Sequence, residues 1–301
     1  MASACIETDS LTRSFGHKKA LDNFTLSVAE GGIHAIVGSN GAGKSTLFRL
    51  LLGMDTPTSG SCHVLGKNSQ HLSPGDRGRV GYVNEEHTLP DWMTVESVIA
   101  LQRGFYPKWQ QIVFDRTVSY FDIDSKQKIT GLSRGERAGL SLSLALAQQP
   151  DLLILDEPTL GLDVVAKQSF LESLLFIGTE HQASIIYCSH QMEEIERVAD
   201  NLILMEQGRL INNSAPEDFV ARIASWSVDF DGKPFDPAAI PGFLSSRNIE
   251  GRHHIVVADC KADFASYLKH QGATFMQPLP INLESAVNAF LTRNHSKPLE
   301  L

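Results

Sequence analysis

The residues best suited to chemistry in this chain are Gly38-Ser39-Asn40-Gly41-Ala42-Gly43-Lys44-Ser45. Their spacing fits the phosphate-loop pattern GxxxxGK[ST]. Glycines let successive backbone N–H groups converge on phosphate oxygens, and a helix N-terminus directly behind them adds positive potential. Lys44 would reach the β- and γ-phosphates, and the Ser45 hydroxyl would bind Mg2+. A second candidate is Leu152-Leu153-Ile154-Leu155-Asp156-Glu157, an apolar run ending in two acids. On a buried parallel strand such acids emerge at the C-terminal edge, where ligands gather. There Asp156 would hold the metal, and Glu157 would polarise an attacking water as general base. The third is Leu132-Ser133-Arg134-Gly135-Glu136. Ser133 and Glu136 have capping-box spacing, and a helix start with glycine in its first turn also suits an anion. Both uses stay open for this segment.

These groups need elements to hold them. Residues 33–37 form a short apolar run between Gly32 and Gly38 and predict a strand. Beyond Lys44, Leu47, Leu50, Leu51 and Met54 recur at helical spacing, and Pro57 forbids continuation. Residues 33–53 therefore predict strand, glycine-rich turn and helix. Within residues 5–30, Phe24, Leu26 and Val28 alternate as in a half-buried strand. Residues 88–150 predict an inserted helical region. One helix is opened by Val95, Val98, Ile99 and Gln102; a second has Pro107 in its first turn and runs to about Phe121; a third follows Ser133. Runs at 152–155, 184–188 and 202–205 predict strands, with helical patterns near 164–177 and 190–198 between them. Such alternation implies an α/β fold with a mostly parallel sheet.

After Leu210 the character changes. Asn212, Asn213 and Ser214 are turn-like, and Pro216 can begin a helix. Strand candidates at 227–230 and 254–258, with helices at 261–270 and 283–293, suggest a small α+β appendage. The expected division is residues 1–215 and 216–301. Lysine plus arginine number 26 against 35 acids, a net charge of −9, so no nucleic-acid partner is expected. Hydrophobic residues make up 42% and charged residues 20%, which argues for a globular chain and against a disordered one. No apolar run approaches the roughly 20 residues of a membrane span. Met1 to Ser10 lack the basic-then-apolar order of a secretory leader. Cys5, Cys62, Cys188 and Cys260 are scattered with no CxxC pair, so neither a disulfide framework nor a zinc site is expected, and a reducing cytoplasm fits.

In their order and spacing these motifs resemble the ATP-binding subunit of an ABC transporter, over roughly residues 5–211. Residues 38–45 resemble its Walker A and 152–157 its Walker B. Residues 132–136 resemble its signature, usually LSGGQ. Gly161-Leu162-Asp163 resembles the D-loop, Ser189-His190 the switch histidine, and Gly81-Tyr82-Val83-Asn84-Glu85 the Q-loop. Phe15 resembles the aromatic that stacks on adenine. The resemblance implies a P-loop ATPase of the ABC type. Its fold would have a mostly parallel core sheet, an antiparallel β subdomain, an inserted helical subdomain at about 88–150 and the small C-terminal appendage. ATP and Mg2+ are the implied cofactors. Phe15, Ser39, Asn40, Gly41, Ala42, Gly43, Lys44, Ser45 and Thr46 would bind ATP. Ser45, Asp156 and Glu85 would hold the metal, and Glu157, His190 and Lys44 would act in catalysis. Ser133, Gly135 and Asp163 would reach nucleotide across a head-to-tail dimer with a second copy or a related subunit.

A polytopic membrane permease is the other implied partner. It would place the chain at the inner face of the cell membrane, powering export of an unidentified substrate. The alternative is a regulatory or mechanical ATPase of the same type without transport. Three residues depart from the family pattern: Arg134 replaces a signature glycine, Glu136 the usual glutamine, and Glu85 the usual Q-loop glutamine. Residues 282–287 resemble the leucine-glutamate segment that ends many exporter-type subunits. By their own pattern they read as a closing amphipathic helix, with Ile281, Leu283, Val287 and Phe290 in its core.

Overall fold

The central apolar runs become β3 (Ile33–Val37), β6 (Val80–Val83), β7 (Leu152–Asp156), β8 (Ser184–Cys188), β9 (Asn201–Glu206) and β10 (Arg209–Ser214) in the computed structural model. They pair in one sheet of order β10-β9-β3-β8-β7-β6. The pairs β3–β8, β3–β9, β6–β7 and β7–β8 are parallel. Side chains alternate between two cores, as the period of two requires. Leu152, Ile154, Ile186, Cys188, Ile203 and Met205 enter one, while Leu153, Leu155, Ile185 and Tyr187 enter the other. Burial on both faces explains why these strands read as unbroken apolar runs. The structure describes residues 3–180, 183–232, 236, 240–260 and 264–293. The chain divides into two compact units, Met1–Asn213 and Ser214–Leu301.

The first core is closed by α1 (Lys44–Leu51) and by an antiparallel sheet of β1 (Ala4–Phe15), β2 (Lys18–Ala29), β4 (Ser59–Val64) and β5 (Lys67–Asn68), in the order β2-β1-β4-β5. The second is closed by α5 (Arg134–Ala147), α6 (Val164–Glu180) and α7 (Met192–Val198). The short α2 (Pro74–Arg77) precedes β6, and α3 (Val95–Phe105) and α4 (Gln111–Val118) complete the inserted helices. Val95, Val98, Phe114, Leu140, Leu144 and Ala147 form their shared core.

Two helix boundaries correct the sequence reading. The second inserted helix starts at Gln111 and ends at Val118, so Pro107 lies in the turn before it. Gln110 caps it in extended backbone (φ −114°, ψ 101°), which breaks any helix begun at Pro107. Met54 is exposed beyond the end of α1, because Gly53 turns the chain with φ +64°.

The second unit contains α8 (Pro216–Ala221), β11 (Ile223–Asp229), β12 (Phe243–Ile249), β13 (Arg252–Ala258), α9 (Phe264–His270), β14 (Phe275–Leu279) and α10 (Leu283–Thr292). Its four strands are antiparallel in the order β12-β13-β11-β14. Val228, Phe230, Ile255, Val257, Phe264 and Leu268 pack on one side, and Phe219 meets Phe290 at 5.2 Å between ring centroids. Leu283, Val287 and Phe290 are buried in α10 as its amphipathic pattern requires, while Ile281 stays half-buried ahead of it. The turn-like residues 212–214 lie instead in β10, whose Asn212 amide donates to the Leu202 carbonyl at 3.0 Å. The edge strands β12 and β14 escape the sequence reading because their faces are mostly polar or exposed and Pro278 interrupts the second. The expected helix at 261–270 begins in residues 261–263, which lie outside the described residues.

Candidate functional site

The phosphate loop leaves the C-terminal end of β3 and enters α1 directly. Two of its glycines, Gly38 and Gly43, are required by close packing. A Cβ at Gly38 would lie 2.5 Å from the Met205 carbonyl oxygen, and one at Gly43, whose φ is +104°, 2.4 Å from that of Ala20. Gly43 is also the N-cap of α1 and supplies no side chain to cap it. The first-turn N–H groups therefore remain available to an anion. Lys44 folds back over the loop, donating to the Gly38 carbonyl at 2.6 Å and the Ser39 carbonyl at 3.4 Å. A terminal phosphate would offer it stronger, charged acceptors in their place.

A cleft of about 340 Å³ opens above this loop. It is lined by Phe15, residues 40–46, Glu85, Asp156 and Glu157, and also by Lys18 and Ala20. Lys18 and Ala20 start β2, and nothing in their local sequence marked them. Phe15 is half exposed, with the Arg13 guanidinium 4.5 Å from its ring centroid and Arg13 in turn paired with Asp55 at 2.8 Å. That support steadies a ring whose exposed surface suits a stacked base.

Asp156 and Glu157 stand where β7 ends. Burial pushes the Asp156 carboxyl above its ordinary value, and the neighbouring Glu157 adds to the rise. The Cys188 thiol and Lys44 oppose it, and Glu85 adds a further negative charge. Tyr82, on β6, stands beside Asp156, and its phenol is pushed up to about 12, first by burial and then by that carboxylate. This crowding of acids favours a cation. The Ser45 hydroxyl with Asp156 and Glu85 is an oxygen donor set of the kind Mg2+ uses together with phosphate oxygens. Among the described residues no cluster of three or more His, Cys, Asp or Glu could hold a metal alone, so substrate oxygens would have to complete the shell.

Glu157 adopts φ 50°, a left-handed conformation that costs a non-glycine residue energy. Its N–H donates to the Cys188 carbonyl at 3.1 Å, and its Oε2 lies 2.8 Å from Nδ1 of His190. His190, on the loop after β8, thus joins the site through Glu157, and its own side chain is 54% exposed.

Ser133, Gly135 and Asp163 do not line the cleft of their own chain. Ser133 caps α5 in a reciprocal box, accepting from the Glu136 N–H at 3.2 Å and donating its own N–H to Glu136 Oε2 at 2.6 Å. The unusual Glu136 is thereby explained as a cap partner. Asp163 caps α6 by accepting from the Ala166 N–H at 2.9 Å. Arg134 lies against the loop before Asp163: a Cβ at Gly161 would come within 2.8 Å of its Nη1. Gly135 has a packing reason of its own, because a Cβ there would lie 2.7 Å from that of Ala166. A helix cap by itself would tolerate a side chain at position 135. The close approach of α5 to α6 excludes that.

Residues 21–160 match the family model described as ABC transporter. A Nod factor export ATP-binding protein I of Rhizobium meliloti (strain 1021) is 32% identical over 292 residues, covering 93% of this chain and 85% of that protein. The hypophosphite import ATP-binding protein HtxD of Stutzerimonas stutzeri is 28% identical over 236 residues, covering 73% of this chain and 69% of that protein. Among solved structures, a dimeric post-hydrolysis state of an ATP-binding cassette bound to ADP and phosphate superposes with a TM-score of 0.62 at 20% identity, covering 70% of this chain and 98% of that one.

Proposed function

The chain belongs to the ABC transporter family of ATP-binding proteins and is an ATPase, and from that premise we propose that it powers export of a substrate through a separate membrane-spanning subunit. The observation that carries the reading is the single cleft in which Lys44, Ser45, Asp156 and Glu157 meet, with His190 held against Glu157. Export, and not import, is favoured by the Nod factor export relatives, which are 30–34% identical to this chain against 28% for the import relative.

In this reading the loop 38–46 receives the phosphates of ATP and Phe15 the base. Lys44 exchanges its carbonyl partners for the terminal phosphates. Mg2+ supplies charge neutralisation between those phosphates when bound by Ser45, Asp156 and Glu85. Glu157 takes the proton of the attacking water, and His190 steadies both that carboxylate and the γ-phosphate. Ser133, Gly135 and Asp163, away from their own cleft, complete the nucleotide site of a second copy or of a related subunit, so that ATP closes two chains head to tail. No helix among the described residues is long and apolar enough to cross a membrane. A polytopic permease would therefore hold the chain at the inner face of the cell membrane.

Glu157→Gln keeps shape and removes the base. It should still bind ATP, release phosphate at least about 100-fold more slowly and accumulate an ATP-bound dimer. Wild-type phosphate release by this variant would overturn the assignment of the site. Copurification of the chain with a polytopic membrane protein, and ATP-dependent substrate efflux from cells expressing both, tests the export step.

A further inference from the structure

Glu194 lies in α7, four residues past His190, and only 3% of its surface is exposed. A carboxylate buried to this degree is strongly destabilising unless its oxygens are satisfied. Here Oε2 accepts three hydroxyls: Tyr187 at 2.6 Å, Thr159 at 2.8 Å and Ser189 at 2.9 Å. Lys167 Nζ stands 3.3 Å from Oε1. The donors belong to segments far apart in the chain. Thr159 is two residues past Glu157, Ser189 immediately precedes His190, and Lys167 is four residues past Asp163. Ser189 Oγ also accepts from the Gln191 N–H at 3.1 Å, and Lys167 donates to the Gln191 side chain. The chain is thereby gripped on both sides of His190, whose own imidazole is half exposed.

We propose that Glu194 is a positioning residue for ATP hydrolysis, a buried clamp that fixes the segments bearing Glu157 and His190 relative to each other and ties both to α6. This rests on the reading of Glu157 and His190 given above. Glu194 lines no part of the nucleotide cleft, so it acts through the alignment of the other two. The chemistry selects a carboxylate. Two acceptor-only oxygens can take three hydroxyls and an ammonium together. A glutamine of the same shape has one acceptor oxygen, and its amide would turn N–H donors toward Lys167 or toward a hydroxyl. The mismatch would be relieved by moving the loop 188–191, and displacement by about 1 Å near a reacting group costs on the order of 100-fold in rate.

The test uses the full chain with Glu194→Gln, His190→Ala and the double variant, measuring ATP affinity and turnover at saturating MgATP. Glu194→Gln should bind ATP within about 3-fold of the parent and lose roughly 10- to 100-fold in kcat. In the His190→Ala background the same change should cost less than about 2-fold, because the alignment of His190 with Glu157 that it fixes is already lost. Tyr187→Phe and Thr159→Val, each removing one donor, should give smaller losses of kcat with KM unchanged, and they carry the test if Glu194→Gln fails to fold. Unaltered kcat in Glu194→Gln, or in both single-donor variants, overturns the proposal. So does an equal loss with and without His190. His190→Ala with wild-type turnover would instead remove the site reading, and this clamp with it; a crippled His190→Ala beside an unaffected Glu194→Gln removes the clamp alone.

Discussion

His87 lies two residues beyond Glu85 and is 1% exposed, with a left-handed φ of 47°. Burial pushes its imidazole down from 6.5 to about 4, and the nearby Arg134 and Arg137 add to the fall. The fold thus holds a neutral ring. As pH falls through 6.5 toward 4, the unfolded chain takes up a proton that the native chain refuses. His87 therefore costs nothing above that window, and the stability it leaves intact at neutral pH is lost progressively inside it. The full shift corresponds to about 3 kcal/mol, and about 2 kcal/mol of this should be gone by pH 5. For a unit of this size that is roughly 4–8 °C in Tm. The assay is thermal unfolding at pH 7 and pH 5 for the wild type and for His87→Asn, a non-titrating residue that tolerates left-handed backbone. The variant should lose less Tm between the two pH values by roughly that amount. An equal fall in both proteins would refute the reasoning and place the acid sensitivity elsewhere.

Lys44→Ala should leave folding intact and lower turnover on the order of 10²- to 10³-fold, since it removes the ammonium nearest the terminal phosphates; normal phosphate release at saturating ATP would contradict the loop assignment. Phe15→Ala should raise the KM for ATP roughly 5- to 10-fold with kcat nearly unchanged, and an unchanged KM would leave the ring a packing residue only. Gly135→Ala should destabilise by about 1–3 kcal/mol by driving α5 from α6, measured by denaturant midpoint; full stability would show that the two helices part freely. Ser133→Ala should lose about 1 kcal/mol of capping energy, so turnover lost well below its Tm would report contact with nucleotide beyond the cap.

Much of the site was legible in the sequence because its chemistry is local. The loop 38–45 needs glycine where backbone amides must converge, and those residues are consecutive. The caps at Ser133 and Asp163 are built within a single helical turn. Buried parallel strands announce themselves as apolar runs because both faces are covered. The ATP-binding subunit's motifs could therefore be read one by one, and their order suggested the rest.

Tertiary structure decided what contact between distant segments alone can decide. Glu157 meets His190 across 33 residues because β7 and β8 are neighbours in register, Asp156 opposite Cys188. Tyr82 reaches Asp156 because β6 lies on the other side of β7. The packing constraint on Gly135 comes from a helix about 30 residues later, and the fit of Arg134 against Gly161 likewise joins separate loops. His87 and Glu194 carry ordinary surface residue types, and their sequence neighbours give no sign of burial. Only when β7, β8 and the helices close over them does water leave, and then desolvation suppresses the charge of one while the other must gather three hydroxyls from two separate segments to remain inside.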